Sequence, residues 1–257
     1  MSDETDRIAL VVPCYNEEQR LDGSAFVALV DKDPGLSLLF VDDGSTDGTA
    51  RLHARLAAER PVRIQAYSLA KNQGKGEAVR QGLLHALQGS ATVVGYVDAD
   101  LATPASEIQR LCAILRSRED CDVLLASRIR LMGRFIDRRP LRHYLGRAFA
   151  TAASWVLRLP VYDTQCGAKL FRRTPSLARA LEERFLSRWI FDVELLGRLL
   201  AGAPGVDPLV PERVHEEPLQ RWTDLRGSKL GTAQMLVAIA DLSCVGVDLA
   251  KRRRRGS

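Results

Sequence analysis

The stretch that most constrains the fold is Val93-Val94-Gly95-Tyr96-Val97-Asp98-Ala99-Asp100-Leu101-Ala102-Thr103-Pro104. A short apolar run rich in β-branched residues reads as a buried strand, and it stops abruptly at two aspartates. Residues i and i+2 of an extended segment point the same way, so Asp98 and Asp100 can aim two carboxylates at one point past the strand's carboxyl end. Open α/β sheets place their ligands at that edge. Two hard oxygen ligands suit Mg²⁺ or Mn²⁺, and Mg²⁺ sites commonly combine one or two carboxylates with substrate phosphates. The plainer alternative is a strand-to-helix turn in which Asp100 or Thr103 caps the helix that opens at Pro104 and Glu107.

Around this stretch strand and helix signals alternate. Ile8 to Pro13 reads as a first strand, followed by a loop, Cys14-Tyr15-Asn16-Glu17-Glu18, whose acids suit the first turn of a helix. Leu38 to Val41 is a second strand, running into the polar turn from Asp42 to Thr49. A helix over 50–59, a third strand over 62–67, and a helix from Glu77 to about Gln88 lead to the strand ending in Asp98. Such alternation with short loops predicts a mostly parallel sheet wound by right-handed crossovers. The loops at the carboxyl ends of its strands then converge on one crevice. Gly74-Lys75-Gly76 is either a phosphate cradle, with Lys75 adding charge, or an ordinary helix start. The chain lacks both G-x-G-x-x-G and the P-loop spacing, which disfavours a dinucleotide enzyme and an NTPase.

With 257 residues, 46% hydrophobic, the chain can bury a full core. Five scattered cysteines without C-x-x-C argue against a disulfide framework or a zinc site. The polar, acidic start over 1–7 is unlike a signal peptide, and no run of about 18 apolar residues occurs. The net charge of +5 is unevenly spread. Between Arg128 and Arg147 stand seven arginines (128, 130, 134, 138, 139, 142 and 147) against one acid, Asp137. That imbalance points to an anionic partner, and no nucleic-acid-binding motif accompanies it. Apolar residues from Leu141 to Leu159 recur at helical spacing beside these arginines. This fits a helix lying in a membrane interface, or a core helix with snorkelling arginines. The segment 235–250 is apolar but interrupted by Asp241 and Asp248, too short and too charged to span a bilayer, and ends in Lys251 and four arginines. It reads as a peripheral anchor on an anionic leaflet or as a last core helix with a solvated tail.

Four words, Val12-Pro13-Cys14-Tyr15-Asn16-Glu17, the segment Val41 to Thr49, Asn72-Gln73-Gly74-Lys75-Gly76 and Asp98-Ala99-Asp100, together resemble the family 2 glycosyltransferases, inverting nucleotide-sugar enzymes of GT-A fold. Three further words, Val161 to Phe171, Arg188 to Leu196 and Trp222 to Leu230, look like the branch that makes polyprenyl-phosphate sugars. They resemble dolichyl-phosphate β-glucosyltransferases more than the mannosyl enzymes. The resemblance covers about residues 8–230.

It implies an α/β GT-A domain over 1–230, with a nucleotide-binding half over 1–100 and an acceptor-binding half over 101–230 holding the basic loop 128–147, followed by a C-terminal helix and tail over 231–257. Pro13, Tyr15, Glu17, Asp42 and Asp43 would line the base and ribose pocket, with Lys75, Asp98 and Ala99 at the donor's phosphates and sugar. Asp98 and Asp100 would hold Mg²⁺ or Mn²⁺. Arg128, Arg134, Arg138, Arg139, Arg226 and Lys229 would hold the acceptor phosphate, arginine being suited to bidentate phosphate contact. Asp163 would contact the sugar or accept a proton, or serve structure alone. The expected partners are UDP-glucose, a polyprenyl phosphate and the cytoplasmic face of a membrane, without nucleic acid. GDP-mannose, a soluble acceptor, and nucleotidyl transfer on a related sheet are the alternatives. Mannosyl enzymes typically carry a glutamine where this chain has Ala102, which leaves the coordination set open, and the basic residue before Gly-Ser-Lys is Arg221 or Arg226.

Overall fold

The computed structural model describes residues 6–137, 140–223 and 232–256. The first half alternates β1 (Ile8–Cys14), α1 (Gly23–Lys32), β2 (Leu36–Asp42), α2 (Thr49–Glu59), β3 (Ile64–Ser68), α3 (Lys75–Ala86), β4 (Val93–Val97) and α4 (Ala105–Ser117). The second half continues with β5 (Val123–Ser127), β6 (Phe135–Asp137), α5 (Pro140–Leu157), β7 (Ala168–Arg172), α6 (Pro175–Glu182), α7 (Phe191–Ala201), β8 (Val214–Pro218), β9 (Arg221–Thr223) and α8 (Thr232–Gly256). Seven strands form one sheet in the order β3-β2-β1-β4-β7-β5-β8, and β6 pairs with β9 in a separate parallel ribbon.

The strands of the main sheet run parallel except β7, which lies antiparallel between β4 and β5. Its register, Val97 against Ala168 and Val93 against Arg172, starts β7 at the edge where β4 ends. The segment before β7 is thereby delivered to the aspartates, a placement that alternation in the sequence does not reveal.

Both faces of the sheet are covered at its centre, which is why β1, β2, β4 and β5 are largely apolar rather than alternating, whereas the edge strands β3 and β8 carry polar residues. Leu10 and Val12 of β1 pack on one side with Phe26 of α1, Leu56 of α2 and Leu111 of α4. Val11 faces the other side, with Val79 and Leu83 of α3, Leu157 of α5 and Leu195 of α7.

Several boundaries differ from the sequence reading for local reasons. Glu17 and Glu18 do not open a helix. Asn16 takes a left-handed backbone (φ 54°), and α1 begins only at Gly23, where the Asp22 carboxylate accepts the Ala25 N–H at 3.1 Å. The third strand starts at Ile64 rather than Val62, because Arg60 to Arg63 closes a turn. Helix α3 runs from Lys75 to Ala86, earlier at both ends than expected. Helix α5 stops at Leu157, with Arg158 at φ 58°. Among the described residues no helix is long and apolar enough to cross a membrane.

Candidate active site

Three loops at the carboxyl ends of β1, β2 and β3 are tied together by hydrogen bonds that consume most of their polar residues. The Asn16 N–H donates to Ser45 Oγ at 2.9 Å, the Thr46 N–H to Asn16 Oδ1 at 2.9 Å, and the Glu17 N–H to Thr49 Oγ1 at 2.8 Å. Glu18 accepts from the Gly48 N–H at 2.9 Å. Asp42 turns the β2 loop by accepting the Ser45 N–H at 3.0 Å. Asp43 reaches across to the entry of α3, accepting Gln73 N–H at 2.7 Å and Gly74 N–H at 2.8 Å. Both aspartates are almost fully buried. Burial pushes the Asp43 carboxyl up, against the pull of those two N–H groups. Gly44, at φ 66°, lies so close to Lys71 and Asn72 that a side chain there would meet backbone. Pro13 is half-buried at this edge and Tyr15 is exposed. Asp42 and Asp43 are thus engaged in shaping the crevice wall.

The paired aspartates stand at the floor of this crevice, though not on an extended segment as the sequence suggested. Strand β4 ends at Val97, and Asp98 to Asp100 form a turn in which Leu101 has φ 53°. Asp100 accepts the Ala102 N–H at 3.0 Å. The Asp98 N–H donates to Gly167 O at 2.9 Å, and its carboxylate receives Lys75 Nζ at 2.5 Å. Burial works against the Lys75 charge, but Asp98, Asp192 and Asp100 outweigh it and raise its pKa. Burial and the neighbouring Asp98 raise the Asp100 carboxyl. Glu17 is also raised, by burial and by Asp100, Asp47 and Asp98, with Arg20 opposing at 3.4 Å. Its buried Oε2 has no hydrogen-bond partner. Ala99 is buried between the two aspartates, and Ala102 is buried as well.

A divalent cation fits this crowding of carboxylates. Among the described residues no third histidine, cysteine, aspartate or glutamate joins the pair to complete a protein cage. Two carboxylates left to be supplemented by phosphate oxygens is the donor set that Mg²⁺ or Mn²⁺ commonly takes.

A second charged group lies near enough for Asp98 to act on it. Arg128, just past β5, donates to Asp163 through Nε at 2.7 Å, Nη2 at 2.8 Å and its backbone N–H at 3.1 Å. Its guanidinium also lies 5.3 Å from the Trp222 ring centroid. Burial opposes the Arg128 charge, and Asp163 more than restores it. Glu216 of β8 fixes the loop by accepting the Tyr162 and Asp163 N–H groups, each at 2.7 Å. Arg147 of α5 stacks on Tyr162 at 3.7 Å. Arg128 and Asp163, singled out separately in the sequence, are therefore one bidentate pair. Arg134 is half-exposed beyond them. Arg138, Arg139, Arg226 and Lys229 lie outside the described residues.

A cluster lies beneath the site: Gln165 and Asp192, polar residues among apolar ones that the sequence reads as buried and paired or facing a site, find partners in Tyr96 and Lys169 that the sequence does not indicate. Asp192, in the first turn of α7, accepts from Tyr96 Oη, pairs with Lys169 Nζ at 2.9 Å, and receives Gln165 Nε2 at 3.4 Å. Arg188 clasps the Gly74 loop by donating to Gln73 O at 3.1 Å and Asn72 Oδ1 at 2.9 Å. Polar residues spaced among apolar ones were the only signal in the sequence. Their partners lie up to 116 positions away, beyond the reach of local spacing. Phe191 is buried against Tyr96 and belongs to packing, whereas Trp189 is 54% exposed.

Comparison with known proteins agrees with this architecture. Residues 9–177 match the family described as Glycosyl transferase family 2. A dolichyl-phosphate beta-glucosyltransferase of Trichomonas vaginalis is 32% identical over 250 residues, 92% of this chain and 70% of that one. The Homo sapiens protein of the same description is 30% identical over 240 residues, 88% of this chain and 70% of its own length. Among solved structures, a glucosyl-3-phosphoglycerate synthase from Mycobacterium tuberculosis, crystallised with Mn²⁺, UDP-glucose and phosphoglyceric acid, superposes with a TM-score of 0.67. That match is 19% identical and covers 94% of this chain and 80% of the other, so it shows a shared fold. Matched across about two thirds of its length and aligned with such relatives over nearly all of it, the chain belongs to glycosyl transferase family 2 and is a glycosyltransferase.

Proposed function

We propose that the protein transfers glucose from UDP-glucose, with inversion, to a polyprenyl phosphate such as dolichyl phosphate, and that it does so at the cytoplasmic face of a membrane. The observation that carries this reading is the closeness of two charged groups, the Asp98 carboxylate acting on the Arg128 guanidinium. Asp98 and Asp100 lie together with Lys75, and the Arg128–Asp163 pair joins the end of β5 to the segment before β7. The relatives named as dolichyl-phosphate beta-glucosyltransferases, at 30–32% identity, support glucose and a dolichyl acceptor.

In this reading residues 1–100 bind the nucleotide and 101–230 the acceptor, with 231–257 outside the catalytic domain. Pro13, Tyr15 and Glu17 line the base and ribose pocket, whose wall is held by Asp42 and Asp43. A phosphate-ester acceptor is largely dianionic at neutral pH, its second pKa being about 6. It attacks the anomeric carbon without a strong base, and the bond from that carbon to the diphosphate breaks with its electron pair passing to the diphosphate. Asp98 and Asp100 would hold a divalent cation, which would neutralise charge on that leaving group. Lys75 adds a second positive charge on the same side. Arg128 orients the acceptor phosphate, and Asp163 keeps the guanidinium charged and fixed in plane. The acceptor roles of Arg134, Arg138, Arg139, Arg226 and Lys229 belong to the same proposal.

The test is transfer of radiolabelled sugar to a short polyprenyl phosphate from UDP-glucose, GDP-mannose or UDP-N-acetylglucosamine, with and without Mn²⁺ or Mg²⁺. Metal-dependent transfer from UDP-glucose is expected. Transfer only from another donor corrects the sugar. Transfer only to phosphoglyceric acid, or no transfer to any lipid, overturns the acceptor.

A further inference from the structure

Helix α8 carries two apolar stripes where a surface helix needs one. Val245 and Leu249 are fully buried, with Leu249 lying over Gly197 of α7. On another side Ile239, Gly246, Val247 and Ala250, at helical spacing, face Ala152 and Trp155 of α5 across an open groove of about 460 Å³. Nothing among the described residues covers it: Trp155 is 78% exposed and Val247 58%.

The groove ends in uncompensated positive charge. Of the last basic residues of α8, Arg252 pairs with Asp248 and Glu183, and Arg253 donates to the carbonyls of Val156 and Leu157 at the end of α5. Arg254, and Arg158 beside it, are exposed and without an acidic partner among the described residues, whereas Lys251 and Arg255 line a separate cavity with Glu183 and Asp248. At the other end Ser187 Oγ meets Asp241 at 2.5 Å, which sets the exposed Leu186 and Trp189 next to α8. Helix α8 packs along α7, whose first turn holds Asp192 under the site.

We propose that this α5–α8 face docks on an anionic bilayer, its apolar stripe entering the headgroup–acyl boundary and Arg158 and Arg254 lying against anionic headgroups. An apolar stripe with flanking cations is what such a surface selects. A second copy of the chain is a poorer occupant. The described acids of α8, Asp241 and Asp248, are engaged with Ser187 and Arg252, so a copy would leave the same cations unneutralised. The proposal rests on the lipid-acceptor reading for its purpose, but its test does not need that reading to hold.

The experiment is flotation of the full chain with vesicles of phosphatidylcholine alone or mixed with phosphatidylglycerol, at low and high salt. Flotation with the anionic vesicles only, weakened by salt, is expected. Trp155→Ser with Val247→Asp should lower partition at least tenfold, and Arg158→Glu with Arg254→Glu should abolish the preference for anionic lipid. All altered positions are exposed, and unchanged circular dichroism and UDP binding would establish that the variants are folded. Glucose transfer to a short, water-soluble prenyl phosphate should persist in both variants. No flotation by the wild type, or equal flotation by the groove variant, overturns the proposal while leaving the catalytic reading intact. A dimer in solution that Val247→Asp dissociates, without vesicle binding, also overturns it, in favour of self-association. Absence of transfer to any prenyl phosphate alongside normal flotation overturns the catalytic reading alone.

Discussion

Gly167 holds the position of the Asp98 carboxylate. A Cβ built on Gly167 would lie 1.9 Å from Asp98 Oδ2, while the Gly167 carbonyl accepts the Asp98 N–H at 2.9 Å. The absence of a side chain in the loop before β7 is therefore a condition for Asp98 to reach Lys75 and face Asp100.

Gly167→Ala is expected to push the Asp98 side chain out of place with little loss of global stability, because the displaced group lies at the crevice rather than in the core. A misplacement of about 1 Å at a reacting site costs on the order of 100-fold. Steady-state kinetics with UDP-glucose beside a thermal melt would check this, and a variant with full activity would contradict it.

Under the proposed function, Asp100→Ala and metal removal should have the same consequence, since both would take away the charge proposed to balance the leaving diphosphate. A fall in transfer of at least 1,000-fold is expected for each, taking oxyanion-type stabilisation of roughly 4 kcal/mol as the guide. Adding Mn²⁺ should restore the chelated wild type and not the variant.

Asp163→Ala leaves the Arg128 guanidinium without its partner in a setting where their side chains are 14% and 7% exposed. Removing one member of such a pair costs about 3 kcal/mol or more. Chemical denaturation should register that loss. Arg128→Lys should instead keep most of the stability and raise the acceptor KM, since an ammonium cannot make the bidentate contact.

His53 of α2 is buried, stacked on Phe40 at 5.0 Å, with neither ring nitrogen hydrogen-bonded. Burial lowers its pKa to about 4, although Asp42 and Asp47 favour the charged form. The unfolded chain binds that proton more readily, so the contribution to stability is fully present above about pH 7.5. It falls as the pH drops through 6.5 and is gone near pH 4, a loss on the order of 3 kcal/mol. Urea titrations at pH 7.5 and 4.5 should show His53→Phe losing less stability across this range than the wild type.

The sequence by itself determined the alternating α/β order, the crevice at the strands' carboxyl ends and the identity of Asp98, Asp100, Lys75, Asp42 and Asp43 as its polar residues. These follow from local rules: apolar runs buried on both faces, polar glycine-rich loops, and short crossovers that leave one edge for ligands. Only the tertiary structure decided what those side chains hold. Asp43 pins the α3 entry loop, Asp98 meets Lys75 because Gly167 makes room, and Arg128 and Asp163 merge into one pair because β7 runs antiparallel to β4 and returns the chain to the site. Strand order and register join residues such as Tyr96 and Asp192, 96 positions apart, and no periodicity within a segment encodes that distance. The same holds for α8, whose apolar residues are legible in sequence. Which stripe α7 buries and which stays open is settled only by packing.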